Sequence, residues 1–310
     1  MINLKHIASK FFKSDGVTAG GGLFATVEEL VAQRRYAYQW QLTNRHHFTS
    51  EQAGDVKSAF KGRGMEFEEI RAYTFGDDVR DIDWRVTARK QLPYTKLYAE
   101  EKDREVYVLL DLSPQMLFGT KKELKSVTAA KIAARIGWQC LKNKDRFGCV
   151  LSDGEQTKVL KAQNSQVHMM LIFKQIADTT QQILQRHITG TTNYLRKSLS
   201  LLEQVIKHRA IVFVISDFAD FSDETSKILA QLAKKADVTC VNVFDRLEKC
   251  PPAAGEYMVQ QDRQQLVFSS ENKNFRKEYE TYFLEKHRAL QNFCKRFHLR
   301  YVESFETICE

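Results

Sequence analysis

From Glu105 onward the chain alternates short apolar runs with amphipathic helical patterns, and this rhythm restricts the fold more than any other feature. EVYVLLD (105–111), RFGCVLS (146–152), AIVFVIS (210–216) and DVTCVNVF (237–244) are strand-length and continuously apolar, as strands covered on both faces are. Between them lie helix-length segments. Leu124, Val127, Ala130, Ala134, Trp138 and Leu141 recur at spacings of three and four, which predicts a helix over about 121–142. SQVHMMLIFKQIADTT, NYLRKSLSLLEQVIK and residues 223–235 and 273–297 follow the same pattern. TKVLKA (157–162), an EYMVQQ/QQLVFS hairpin and LRYVES (299–304) supply further strands. The expectation is an α/β fold with a doubly wound, mostly parallel sheet.

The preceding third is different in character. Thr26 and Glu29 form a T-x-x-E capping box after GVTAGGG, predicting a helix to about Leu42. Residues 45–104 are rich in charge, Gly and His, with short alternating pieces such as YTKLYAE, and read as hairpins and loops. The chain therefore divides into N-terminal helices with a Gly-rich linker (1–44), a charged hairpin module (45–104) and an α/β domain (105–310).

Composition narrows the function classes. With 43% hydrophobic and 28% charged residues the chain is globular in type. No apolar run approaches the roughly 18 residues of a bilayer span, so integral membrane association is not expected. The six cysteines form no CxxC pair, which argues against zinc and disulfide scaffolds. The net charge of +8 is spread thinly, without a basic arm interleaved with aromatics, and no nucleic-acid partner is expected. MINLKHIASKFFK lacks the apolar core of a secretory signal, which predicts a cytoplasmic location.

In doubly wound sheets, ligands bind beyond the carboxyl ends of the strands, where the strand order reverses. Two strand ends carry suitable chemistry, Asp111-Leu112-Ser113 and Ser216-Asp217-Phe218. If their strands are central neighbours, Asp111, Asp217 and the Ser113 hydroxyl surround one point, a set of hard oxygens that suits Mg²⁺. The competing use of such residues is to cap the helices that follow. The Gly190-Thr191-Thr192 loop can add a hydroxyl from the same edge.

Asp111-x-Ser113-x-Gln115, this Gly/Thr loop and Asp217 resemble the metal ion-dependent adhesion site of von Willebrand factor A domains. The resemblance implies a von Willebrand factor A-like fold and Mg²⁺ held by Asp111, Ser113, Gln115, Thr192 and Asp217, accepting a carboxylate from a partner protein. Gln115 departs from the family pattern, which has a serine there.

A second resemblance lies upstream. Gly62-Arg63-Gly64-Met65-Glu66-Phe67, then Arg71-x-Tyr73-x-x-Gly76-Asp77-Asp78-x-Arg80-x-Ile82-Asp83-Trp84-Arg85, Ala88-Arg89 and Pro93-Tyr94 look like the signature of the bacterial family called domain of unknown function 58. That family is typically encoded beside MoxR-type AAA+ ATPases. It implies a non-catalytic adaptor that works with such an ATPase in maturing or remodelling a client protein.

Within this block, Arg71, Arg80, Arg85 and Arg89 lie close in sequence to Asp77, Asp78, Asp81 and Asp83, so internal Arg–carboxylate forks or a partner surface are expected. Trp84 is expected to anchor the block by packing. The enzyme alternative is a metal-dependent nuclease or phosphoesterase using Asp83, Glu100 and Lys102. The chain has no G-x-x-x-x-G-K-[ST] phosphate loop, G-x-S-x-G or H-E-x-x-H, so nucleotide hydrolysis is assigned to the partner.

Overall fold

The computed structural model describes residues 20–37, 65–74, 79–100, 104–185, 194–206, 210–261 and 264–304. The chain divides into two units, one of residues 1–41 with 104–310 and one of residues 42–103.

The larger unit is built on a six-stranded sheet. Its strands are β3 (Glu105–Asp111), β4 (Arg146–Ser152), β5 (Thr157–Gln163), β6 (Ala210–Ser216), β7 (Ala236–Asn242) and β10 (Arg300–Glu303), in the order β10-β7-β6-β3-β4-β5, while β8 (Glu256–Gln261) and β9 (Gln264–Ser269) form the expected hairpin apart from it. All neighbours are parallel except β4 and β5, which pair antiparallel. The exception follows from chain length, because the short turn between β4 and β5 permits a hairpin while a parallel return needs a crossover of a dozen residues.

The apolar runs explain the layers. In β3, Tyr107 and Leu109 pack to one side with Val212 and Val214 of β6 and Val238 and Cys240 of β7. The same cluster takes in Leu195, Leu199 and Leu202 of α6 (Tyr194–Val205), Leu229 and Leu232 of α7 (Asp223–Ala233), and Leu290 and Cys294 of α9 (Lys273–Arg296). The opposite side is covered by α4 (Lys125–Asn143) and α5 (Gln166–Ile183), which bury Val127, Ile132, Ile136, Ile172, Phe173 and Ile176 completely or nearly so. Gly137 lets α4 lie close to the sheet, since a Cβ there would come within 3.0 Å of the Phe147 ring. At one edge, β5 presents exposed Lys158 and Lys161, which discourage further strand pairing.

The N-terminal helix is part of this unit. Glu29 N donates to Thr26 Oγ1 (3.3 Å) and Thr26 N to Glu29 Oε2 (3.2 Å), closing the capping box that opens α1 (Val27–Ala32). The helix breaks at Gln33 and resumes as α2 (Arg34–Ala37); the expected continuation to Leu42 lies outside the described residues. Leu30 is fully buried, and Leu30 O accepts from Trp138 Nε1 (3.2 Å) on α4. The predicted helix from residue 121 begins four residues later, because Lys121–Leu124 belong to a loop whose Leu124 N donates to Gly22 O (2.9 Å).

In the smaller unit, β1 (Met65–Ala72) and β2 (Tyr94–Glu100) pair antiparallel, with a bulge between Phe67 and Glu69. The connection holds a one-turn 3-10 helix (Val79–Asp81) and α3 (Trp84–Lys90), an element the hairpin-and-loop reading missed. Asp83 caps it, with Oδ1 accepting from Arg85 N (3.0 Å) and Val86 N (3.1 Å). Tyr94 N donates to Thr87 Oγ1 (3.0 Å), so the half-buried side of α3 is that of Val86 and Thr87. Trp84 falls outside that side and is 67% exposed. The expectation that it anchors the block by packing is therefore corrected.

Cys140, Cys149, Cys240 and Cys294 are buried, as thiols in apolar elements usually are, whereas Cys250 is exposed. No helix among the described residues is long and apolar enough to cross a membrane.

Candidate functional site at the carboxyl ends of the central strands

After β3 the chain runs outward to β4 and β5, then crosses to β6 on the other side of β3. The reversal of strand order thus lies between β3 and β6, the position at which doubly wound sheets bind their ligands. Leu110 pairs with Ile215, so Asp111 and Ser216 emerge side by side.

Asp111 is 4% exposed and well provided with donors. Ser216 Oγ donates to its Oδ2 (2.6 Å) and Ser113 N to its Oδ1 (2.9 Å). Burial, and next the charge of Asp217, push its carboxyl up to about 6 despite these bonds. Ser216 Oγ in turn accepts from Phe218 N (3.1 Å), which fixes the turn carrying Asp217.

Ser113 is buried beside Asp111, and its Oγ leans toward that carboxylate without a well-aligned hydrogen bond. Its position is set by the loop after β4. Gly154 has a φ of +90°, and a Cβ there would come within 2.7 Å of Pro114 Cδ, so only glycine brings this turn against the Ser113–Pro114 backbone. Asp153 shapes the same turn by accepting from Glu155 N (2.9 Å) and Gln156 N (2.7 Å).

Asp217 faces a lysine. Lys125 Nζ lies 2.7 Å from Asp217 Oδ2 and 2.8 Å from Glu248 Oε1, and the lysine side chain is only 4% exposed. Burial alone would lower the pKa of Lys125, but Asp217 and Glu248 outweigh it and hold the ammonium above its ordinary value. The other Asp217 oxygen, Oδ1, accepts from Ala219 N (3.0 Å).

Glu248 lies in α8 (Arg246–Lys249), directly after β7, and also accepts from Asp245 N through Oε2 (2.7 Å). Asp245 accepts from Thr120 N (2.9 Å) and Thr120 Oγ1 (2.6 Å). The loops after β3, β6 and β7 are thus tied together by one ammonium and two short carboxylate-bearing turns.

Of the five residues expected to hold Mg²⁺, the structure brings Asp111, Ser113 and Asp217 to one end of the sheet. Gln115 turns its amide Nε2 to Asp220 Oδ1 (3.5 Å), and Thr192 lies outside the described residues. Among the described residues, no group of three or more His, Cys, Asp and Glu side chains is arranged to hold a metal ion. Ser113 Oγ has an open acceptor position, but all four oxygens of Asp111 and Asp217 already accept from protein donors and a fixed ammonium sits against Asp217. The Lys125 ammonium thus stands among the oxygens that the sequence assigns to a metal, against Asp217 Oδ2.

Sequence reasoning missed Lys125, Asp245 and Glu248, and named Ser216 at its strand end without giving it a role. Ser216 was legible, since it adjoins Asp217. Lys125 carried no local signal, because nothing in its neighbourhood indicates that an ammonium at that point becomes buried.

The charged signature block lies in the smaller unit. Arg71 Nη1 donates to Ala72 O and Thr74 Oγ1, and Arg85 and Arg89 are exposed on α3. Arg80 lies in the 3-10 turn and is engaged elsewhere. Asp77 and Asp78 lie outside the described residues, as does Lys102; Glu100 ends β2. Asp83, the leading residue of the nuclease alternative, acts here as the cap of α3.

The uncharacterized proteins Mb1516 of Mycobacterium bovis and Rv1480 of Mycobacterium tuberculosis are each 27% identical to this chain over 207 residues. The matched stretch spans 67% of this chain and 63% of those relatives. Among solved structures, the conserved hypothetical protein BatB from Bacteroides thetaiotaomicron aligns with 64% of this chain and 89% of its own, at 14% identity and a TM-score of 0.38. An aerotolerance-related membrane protein from Bacteroides fragilis, with multiple mutations to serines, aligns with the same share of this chain and 90% of its own, at the same identity and TM-score. Likeness at that level carries no argument. The profile of the protein family of unknown function DUF58 matches residues 69–289, which takes in the α3 block, five of the six strands of the sheet and most of α9, and the chain belongs to that family.

Proposed function

We propose that this protein is a non-catalytic, cytoplasmic adaptor whose α/β unit is von Willebrand factor A-like and whose partner is a MoxR-type AAA+ ATPase acting on a client protein. The observation that carries the reading is the adjacency of β3 and β6, which gathers Asp111, Ser113 and Asp217 at the reversal of strand order. Ligand contacts in doubly wound sheets concentrate at such a crevice. The side chains there hold one another, through Ser216 to Asp111 and Lys125 to Asp217, and that supports a rigid docking face. Resemblance of the α3 block to a family encoded beside these ATPases supports the choice of partner.

The test is co-elution of the full chain with the purified MoxR-type ATPase of the same genome, with and without ATP, alongside the rate of ATP hydrolysis. Nucleotide-dependent co-elution, or a change in hydrolysis rate that the Asp217→Ala variant loses, is expected. Separate elution together with an unchanged rate overturns the proposal.

A further inference from the structure

We infer that the ammonium of Lys125 is the resident cation of the strand-end crevice, standing where the sequence pattern calls for a divalent ion, so that the face is assembled without metal. The inference concerns the crevice itself and holds whether or not the adaptor reading does.

Three observations carry it. The first is geometric. Lys125 Nζ lies 2.7 Å from Asp217 and 2.8 Å from Glu248, the distances of charge-assisted hydrogen bonds. An Mg²⁺ on the same Asp217 oxygen would need to approach to about 2.0–2.1 Å within an octahedron of oxygens. It would then share that oxygen with a positive charge that cannot diffuse away.

The second is burial. The lysine side chain is 4% exposed and that of Asp217 7%, so water screens the pair poorly and the ammonium opposes a second cation on the same oxygen more strongly than an exposed lysine would. Lys125 also belongs to the first residue of α4, and its ammonium lies 6.0 Å from the Phe118 ring centre. The helix, the ring and two carboxylates hold the charge in place.

The third is what the cation joins. A divalent ion at a crevice of this kind ties together loops from separate strands. Lys125 does the same. It is carried by the segment after β3 and reaches the turn after β6 through Asp217 and the turn after β7 through Glu248. Thr120 and Asp245 make a second tie between the first and last of these segments. With the loops already fastened, the crevice needs no ion to take its shape.

The experiment is a Mn²⁺ titration of the full chain, read by the electron paramagnetic resonance signal of free Mn²⁺, with thermal unfolding in Mg²⁺ and in EDTA beside it. For the wild type, the free-Mn²⁺ signal is expected to follow that of buffer into the millimolar range, and the unfolding midpoint to be the same in Mg²⁺ and EDTA. In Lys125→Met, Asp217 and Glu248 lose their counter-charge. That variant is expected to take up Mn²⁺ saturably, and Mg²⁺ is expected to raise its lowered midpoint.

Saturable Mn²⁺ uptake by the wild type that Asp111→Ala or Asp217→Ala abolishes overturns the inference. So does a folded Lys125→Met that leaves Mn²⁺ free, because the lysine would then hold no place that a metal could take. Should Lys125→Met fail to fold, the wild-type titration with its two aspartate variants decides alone. None of these readouts involves a partner protein, so their failure is distinct from a failure of the ATPase co-elution.

Discussion

The strand-end crevice and the α3 block hold the same kinds of residue and use them in opposite ways. In the crevice, Asp111, Asp217 and Lys125 are almost entirely removed from water, and each finds its compensation in a partner from a distant part of the chain. In the α3 block, Arg85, Arg89 and Lys90 are exposed, and Asp83 answers to the backbone three residues away. Charge that is buried must be paired, and it thereby becomes part of the fold; charge left in water contributes little to stability and remains open to other molecules. The difference between the two regions is one of solvent, not of composition.

The largest effect that would sharpen this contrast is expected at Lys125. Replacing it with Met leaves two carboxylates facing each other without a cation, and breaking a buried pair from one side costs about 3–5 kcal/mol. Arg89→Ala on α3 is expected to stay within about 0.5 kcal/mol, as exposed substitutions do. Urea unfolding of both variants checks the pair. If the two lose similar amounts, the distinction between regions is broken.

Next is Asp111. Its carboxyl is pushed up to about 6 in the folded chain, above the ordinary carboxylate value, so the fold favours the protonated form. A raised carboxylate makes the fold less stable as pH climbs from about 4 to about 6, and no further change comes from it above that. At roughly 1.4 kcal/mol per pKa unit, the loss over this window is about 3 kcal/mol. Asp111→Asn is expected to flatten it, and the difference between the two urea-unfolding curves from pH 4.5 to 7.5 isolates the contribution. Parallel curves would mean that the carboxylate is better solvated than its burial indicates.

Smaller still is the cap of α3. Asp83→Ala removes the acceptor for Arg85 N and Val86 N and is expected to cost about 1 kcal/mol, while Asp83→Asn keeps most of it. At the bottom of the scale, Trp84→Ala is expected to change stability by less than about 0.5 kcal/mol, because the indole is largely in water already. A loss of several kcal/mol at Trp84 would return the residue to the role of packing anchor.

Much of the sheet was legible because strand signals are local. Continuous apolar runs such as AIVFVIS announce burial on both faces, and all seven residues of β6 are buried. Reading Asp111 and Asp217 as a pair needed only the condition that their strands be neighbours, which the order β6-β3 meets. The antiparallel course of β5 was less legible, since an apolar alternation looks the same in either direction. α3 escaped notice because a seven-residue helix with only Val86 and Thr87 half-buried along one side leaves too little periodicity to read.

Periodicity, turn residues and caps are properties of neighbouring positions, and they determined the elements of this protein, their rough ends and the acidic residues at two of those ends. Which charge meets which is a property of distance in space. Lys125 and Asp217 are 92 positions apart, and Lys125 and Glu248 123 apart. Only the closing of the sheet and the packing of α4 against it brought that ammonium to those carboxylates and shut out the water that would otherwise have kept them apart.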